Sequence, residues 1–242
     1  MCQFKSALVL KDRIFLPDYD SHDKMLQELG IEDNFTNASK VFVRVELSPT
    51  DGNIFSAVDG WKLNIDQDIL PEWWDEAECL PQLKELVETW MRKHTIYAGE
   101  HEVADGVWLA TGSATVTATG RATVRATDSA TVTATGGATV TATGSATVTA
   151  YDSATVTAYG SATVRAYGSA TVTATGRATV SAIDSTIVTA TGHATVRAYD
   201  SATVIVPKRF ATDGVIELND DSVCINHKTH TIRSAIKWKQ EE

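Results

Sequence analysis

Residues 117–124 read TATGRATV, residues 157–164 TAYGSATV and residues 197–204 RAYDSATV. The same frame, x-Ala-(Thr/Tyr)-(Gly/Asp)-x-Ala-Thr-Val, runs from Leu109 to Val204 as twelve consecutive units of eight. Ala holds position two and Val position eight in every unit, while position six leaves Ala only at Thr186 and position seven leaves Thr only at Ile187. A fixed period of this kind dictates the architecture before any single residue is weighed. Across the unit boundary the pattern becomes Ala-Thr-Val-Thr-Ala-Thr followed by Gly-Ser or Asp-Ser. Small apolar residues alternate with hydroxyls for six residues, and the chain then turns. Helix is the competing reading of an Ala-rich segment. It loses because the period is two, β-branched Thr and Val fill the run, and Gly or Asp recurs every eighth residue.

Alternation sends Ala, Val and Ala to one side of each six-residue strand and three polar positions to the other. Such a strand cannot bury its apolar side alone, so the units must stack, and two octads per coil give a flattened parallel β-solenoid. The expected fold is mainly β: six 16-residue coils over 109–204, roughly 29 Å long at ~4.8 Å per coil, an α/β domain before them and a β cap after them. The interior is thin, consistent with the lack of Trp and Phe between residues 109 and 204.

Stacking at period sixteen sorts the outward residues into columns. One face carries Thr139, Thr141, Thr143, Thr155, Thr157, Tyr159, Thr171, Thr173, Thr175, Thr189 and Thr191, a low-charge lattice of hydroxyls. The other aligns Tyr151, Tyr167, Ile183 and Tyr199 beside Arg165 and Arg197. One corner edge holds Asp152, Asp184 and Asp200, and the opposite one Arg177 and His193. The Asp residues are read as turn formers that bond their own backbone rather than as cation ligands.

The flanks are less regular. Residues 1–98 read as an acidic α/β domain, with strands at Ala7–Leu10, Val41–Leu47 and Trp61–Ile65. A helix capped by Ser21 and closed by Gly30, and a second at Leu80–His94, complete it. Residues 99–108 cover the first coil, and 205–242, with Phe210, Val215, Ile216 and the turn Asn219-Asp220-Asp221, cap the last.

The chain has 242 residues, 43% of them apolar, and a net charge of −10. Residues 1–108 hold ten Lys and Arg against 21 Asp and Glu, whereas the octads hold five Arg against four Asp. Without a basic patch, direct nucleic-acid binding is not expected. Acid mimicry of a nucleic acid, aimed at a DNA-binding enzyme, is an alternative weakened by the near-neutral octads. The absence of a long apolar run and the wide spacing of Cys2, Cys79 and Cys224 lead to the expectation of a cytoplasmic protein without membrane contact or disulfides.

The AYGSATV and AYDSATV units, with Thr-x-Thr on the strand, resemble the octapeptide-derived solenoid repeats of bacterial ice-nucleation proteins and Thr-x-Thr antifreeze β-helices over residues 109–204. FVRVELSP and WKLNIDQDILPEWW resemble an uncharacterised domain that precedes such repeats in bacterial and phage-encoded proteins. The first resemblance implies ice binding through the Thr rows.

Chemistry is sparse. No GxSxG, HExxH, phosphate loop or CxxC pair occurs, so no enzymatic activity, metal or cofactor is expected. Cys224, His227 and His230 supply a thiol and two imidazoles at three-residue intervals, but on a strand they do not share one face. Glu72, Asp75, Glu76 and Glu78 suit a helix N-terminus better than acid–base work. The expectation is a non-enzymatic binding or structural protein whose solenoid faces meet a protein, an ordered polymer or ice, with self-association through a face as a further outcome.

Overall fold

A computed structural model describes residues 4–207, 214–227, 229 and 231–234. Cys2, Phe210 and His230 lie outside the described residues. The chain divides into two compact units, Met1–His94 and Thr95–Glu242.

In the first unit four antiparallel strands lie in the order β2 (Ile14–Phe15), β1 (Lys5–Leu10), β3 (Phe42–Pro49) and β4 (Trp61–Ile65). Both sheet faces are covered. Ala7, Val9, Val43, Val45 and Leu47 pack against Leu83 and Val87 of helix α3 (Glu76–Lys93). Leu8 and Phe42 pack against Met25 and Leu26 of α1 (His22–Leu29). Burial on both sides explains the unbroken apolar run of β1.

The α1 limits follow from its ends. The Ser21 side chain accepts the Lys24 N–H, and Gly30 at φ 66° closes the helix in the left-handed conformation that glycine takes without strain. Helix α2 (Phe35–Ala38) is a single turn. Helix α3 starts before the expected Leu80, because Asp75 accepts the N–H groups of Ala77 and Glu78. Pro81 is accommodated within it, near the N-terminal end where few intrahelical bonds precede it. The acidic cluster Glu72–Glu78 is therefore the approach to and first turn of α3, where the helix dipole favours carboxylates.

The second unit is the solenoid. Strand β5 (Thr95–Val103) pairs in parallel with β6 (Val107–Ala118), and from Val107↔Thr123 to Thr189↔Ile205 each rung pairs with the one sixteen residues later. Thr147, Val148, Thr149 and Ala150 face Thr163, Val164, Arg165 and Ala166 in strict register. There are about eight turns rather than six, since parallel pairing continues beyond the octads to Glu100↔Thr115 and Val204↔Cys224. Those flanks lack the motif but supply the inward positions, with Ile96, Val103 and Cys224 buried. The segment Thr231–Ser234 then reverses and pairs antiparallel with Val223–Asn226, occupying what would be an open strand edge.

Ala at positions two and six and Val at position eight form one continuous core; Ala162, Val164 and Ala166 are fully buried. The strands are shorter than expected: four residues, such as Thr163–Ala166, instead of six. The corner explains the difference. The Ala162 N–H donates to the Tyr159 carbonyl, 3.3 Å away, so positions three and six belong to a β-turn and leave the strand.

Each corner has one left-handed residue between them, Gly160 at φ 62° or Asp152 at φ 56°, for example. Gly and Asp recur there because they are among the few residues that adopt this conformation routinely. Thr186, the exception at position six, is buried, and its hydroxyl donates to the Ile183 carbonyl at 2.5 Å. The exchange places Ile187 on the surface with 43% exposure.

Candidate functional site

Strict register converts the octads into straight rows. On one face, Thr139/Thr141, Thr155/Thr157 and Thr171/Thr173 form three successive Thr-x-Thr rows, followed by Ile187/Thr189. Rows are ~4.8 Å apart, and the two columns are separated by ~7 Å, two residues along a strand. The hydroxyls of these seven Thr residues have no protein partner among the described residues.

The third column behaves differently. Thr143, Thr175 and Thr191 donate to the carbonyls of Ala126, Ala158 and Ala174 at 3.3–3.4 Å. Expected to be members of the open lattice, they instead brace the preceding coil, because position three begins the corner. Tyr159 stands in that column, exposed. The opposite face carries its own Thr-x-Thr rows, Thr131/Thr133 and Thr147/Thr149, in its N-terminal half. The octads write the same motif on this face, which the expected Thr lattice does not include.

The C-terminal half of that opposite face is aromatic. The Tyr151 and Tyr167 rings stack with centroids 5.1 Å apart and an interplanar angle of 13°, close to the strand spacing. The ladder continues through Ile183 to Tyr199 at corner position three. Arg165 pairs in register with Ser181, and Ser181 with Arg197.

The two arginines differ. Arg165 is exposed without a charged partner among the described residues. Arg197 donates through Nε to Glu217 at 2.6 Å, so its charge is paired on the same face. Hydrogen bonding to Glu217 and its negative charge hold the Arg197 pKa above the ordinary value. The Ser181/Ile183 row is shorter than the rows on either side. It floors a shallow, open depression of about 470 Å³ lined by Arg165, Tyr167, Tyr199, Asp200 and Asp220, two coil spacings or ~9.6 Å across.

The Asp corners bond a neighbouring coil rather than their own backbone. The Asp152 carboxylate accepts from the Gly136 N–H at 3.2 Å, Asp184 from Gly168 at 3.0 Å, Asp200 from Asp184 at 3.4 Å and Asp220 from Asp200 at 3.4 Å. Asp128 does the same to Gly112 at the other corner, at 3.5 Å, and takes the Thr111 hydroxyl as well. An N–H otherwise left to solvent thus has a charged acceptor, which gives these carboxylates a structural role. His193 is exposed at the opposite corner, and the Arg177 N–H is spent on the Gly160 carbonyl.

Metal-ligating side chains converge once among the described residues, at His22, Glu46 and Asp66, whose ligand atoms lie within 4.8 Å of one another. They are 24 and 20 residues apart, so no spacing motif announces them. Cys224 and His227 do not join such a group. Burial pushes the Cys224 thiol up, away from the thiolate that zinc takes. Among the described residues no helix is long and apolar enough to cross a membrane. No protein-family model, curated protein or solved structure matches the chain.

Proposed function

We propose that the chain is a non-enzymatic binding protein whose solenoid engages a protein partner through the Tyr/Arg half of one face. The single observation that carries this reading is the Ser181/Ile183 depression between the Tyr167 and Tyr199 rows. Its floor sets the apolar Ile183 beside the Ser181 hydroxyl, its walls are Tyr167 and Tyr199, and Arg165, Asp200 and Asp220 line it too, so a partner side chain with an apolar body and a polar tip finds both halves of its chemistry met. Tyr and Arg concentrate binding energy at protein interfaces, and a hydrogen-bonded stack carries little ordering cost.

The test is capture from the host cell by the full chain. Tyr167→Ala with Tyr199→Ala should lose the partner, whereas Lys at Thr141, Thr157 and Thr173 should keep it. Capture that survives the Tyr changes removes this face from the account.

A second reading rests on a separate observation: the unspent hydroxyls of Thr139/Thr141, Thr155/Thr157 and Thr171/Thr173 repeat at crystal-like regularity. Together with the resemblance to ice-nucleation repeats, this supports recognition of ordered water. Shaping of ice crystals or a lowered freezing point by the purified chain, abolished by the three Lys changes, is the expected result. An inactive chain at high concentration excludes ice.

A further inference from the structure

We infer that His22, Glu46 and Asp66 form a binding site for a divalent transition-metal ion of the zinc type, which ties α1 to the sheet of the first unit. His22 Nε2 lies 3.1 Å from the Val45 carbonyl oxygen, which only accepts, so Nε2 carries the proton. That leaves Nδ1, in the neutral ring a lone pair, facing Asp66 Oδ2 at 3.2 Å. A lone pair against a carboxylate is repulsive unless a cation, either a proton on Nδ1 or a metal ion, lies between them.

Glu46 decides between these two. Its carboxylate is half-buried on the strand face covered by α1, completes the three-ligand group, and has no hydrogen-bond or ion-pair partner among the described residues. The cation two residues along the same face, Arg44, is already engaged by Asp33 at 2.5 Å. A proton on Nδ1 satisfies one carboxylate; a divalent ion satisfies both. Two carboxylates also outweigh the partial positive charge at the start of α1, roughly half a unit.

The His22–Asp66 spacing agrees, and the Glu46 carboxylate lies within 4.8 Å of both. Tetrahedral zinc with bonds of about 2.1 Å has ligand atoms about 3.4 Å apart, against 3.2 Å for Nδ1 and Oδ2. One imidazole that donates its other N–H to a backbone carbonyl is how metal-bound histidines are usually oriented. Asp66, with 57% of its side chain exposed, leaves the outer position to water. Residues from the start of α1, from β3 and from just after β4 would then share one ion.

The experiment uses the full chain, stripped with chelator and titrated with Zn²⁺ by equilibrium dialysis and with Co²⁺ by visible absorption. The expected result is one ion per chain, with Asp66→Asn and Glu46→Gln each weakening it at least tenfold. Both metal-free variants should melt as the metal-free parent does. In NMR of the histidine rings, zinc should shift His22 Nδ1 while Nε2 remains protonated. Failure to bind, binding unchanged in both variants, or a His22 ring that stays doubly protonated with zinc present overturns the site. None of these outcomes touches the solenoid faces.

Discussion

The Asp184 carboxylate accepts a hydrogen bond from the Gly168 N–H of the preceding coil at 3.0 Å, while its own N–H is taken by Asp200. Asp therefore does two things at the corner: it tolerates φ 61°, and it closes a bond that glycine leaves to water.

The two roles separate by substitution. Asp184→Ala loses the acceptor and places a residue without a local polar contact in the left-handed region, costing about 2 kcal/mol in all. Asp184→Asn keeps an acceptor and the conformational tolerance and should cost well under half of that. Denaturant midpoints check this; equal losses for Ala and Asn contradict it.

Glycines in one corner column should differ in the same experiment. A Cβ at Gly120 would lie 2.7 Å from the Ala104 carbonyl oxygen, whereas at Gly136 its nearest neighbour is 3.7 Å away. Gly136→Asp should be nearly neutral, since its carboxylate reaches the Gly120 N–H as Asp152 reaches that of Gly136. Gly120→Asp should cost several kcal/mol through backbone displacement. Similar midpoints for the two variants would sink the corner account.

The core leaves no room for added bulk. Val164→Ala removes two buried methyl groups and should cost about 2 kcal/mol. Ala166→Leu, on the same rung, should cost about 1–3 kcal/mol by overpacking or block folding altogether. Thr163→Ala, on the outer side, should stay within about 0.5 kcal/mol. A neutral Ala166→Leu would mean that the two sheets are farther apart than described.

Burial raises the pKa of Cys224 above the ordinary 9.0, and that of Cys79 as well. A raised thiol pKa leaves less thiolate at any given pH, so both should be alkylated more slowly than free cysteine at pH 8. Their rates should still climb above pH 9. Peptide mass spectrometry after timed labelling reads each residue separately, and fast labelling of Cys224 at pH 8 contradicts its burial.

The repeat made the 16-residue coil, the inward Ala and Val and the column order legible, since period two along a strand and period sixteen between coils are both written in the octads. Ser21 and Gly30 announced α1 equally well. What stayed hidden depended on contacts between coils or between distant elements. Whether the Thr175 hydroxyl faces water or the Ala158 carbonyl depends on where the corner begins. Arg197 meets Glu217 because the last pairing is offset by twenty residues rather than sixteen, outside the octad frame. His22, Glu46 and Asp66 come from three elements whose packing no local pattern encodes.

All the surface readings require that residues sixteen apart stand directly over one another. Spin labels on the outer positions Thr123, Ile187 and Thr203 test this by pulsed dipolar spectroscopy. Four coils separate Thr123 from Ile187 and five separate Thr123 from Thr203, so backbone spacings of ~19 Å and ~24 Å are expected, a constant increment of ~4.8 Å per coil. Separations that fail to grow with each sixteen residues, or that scatter broadly, would contradict the stacked rows on which both faces depend.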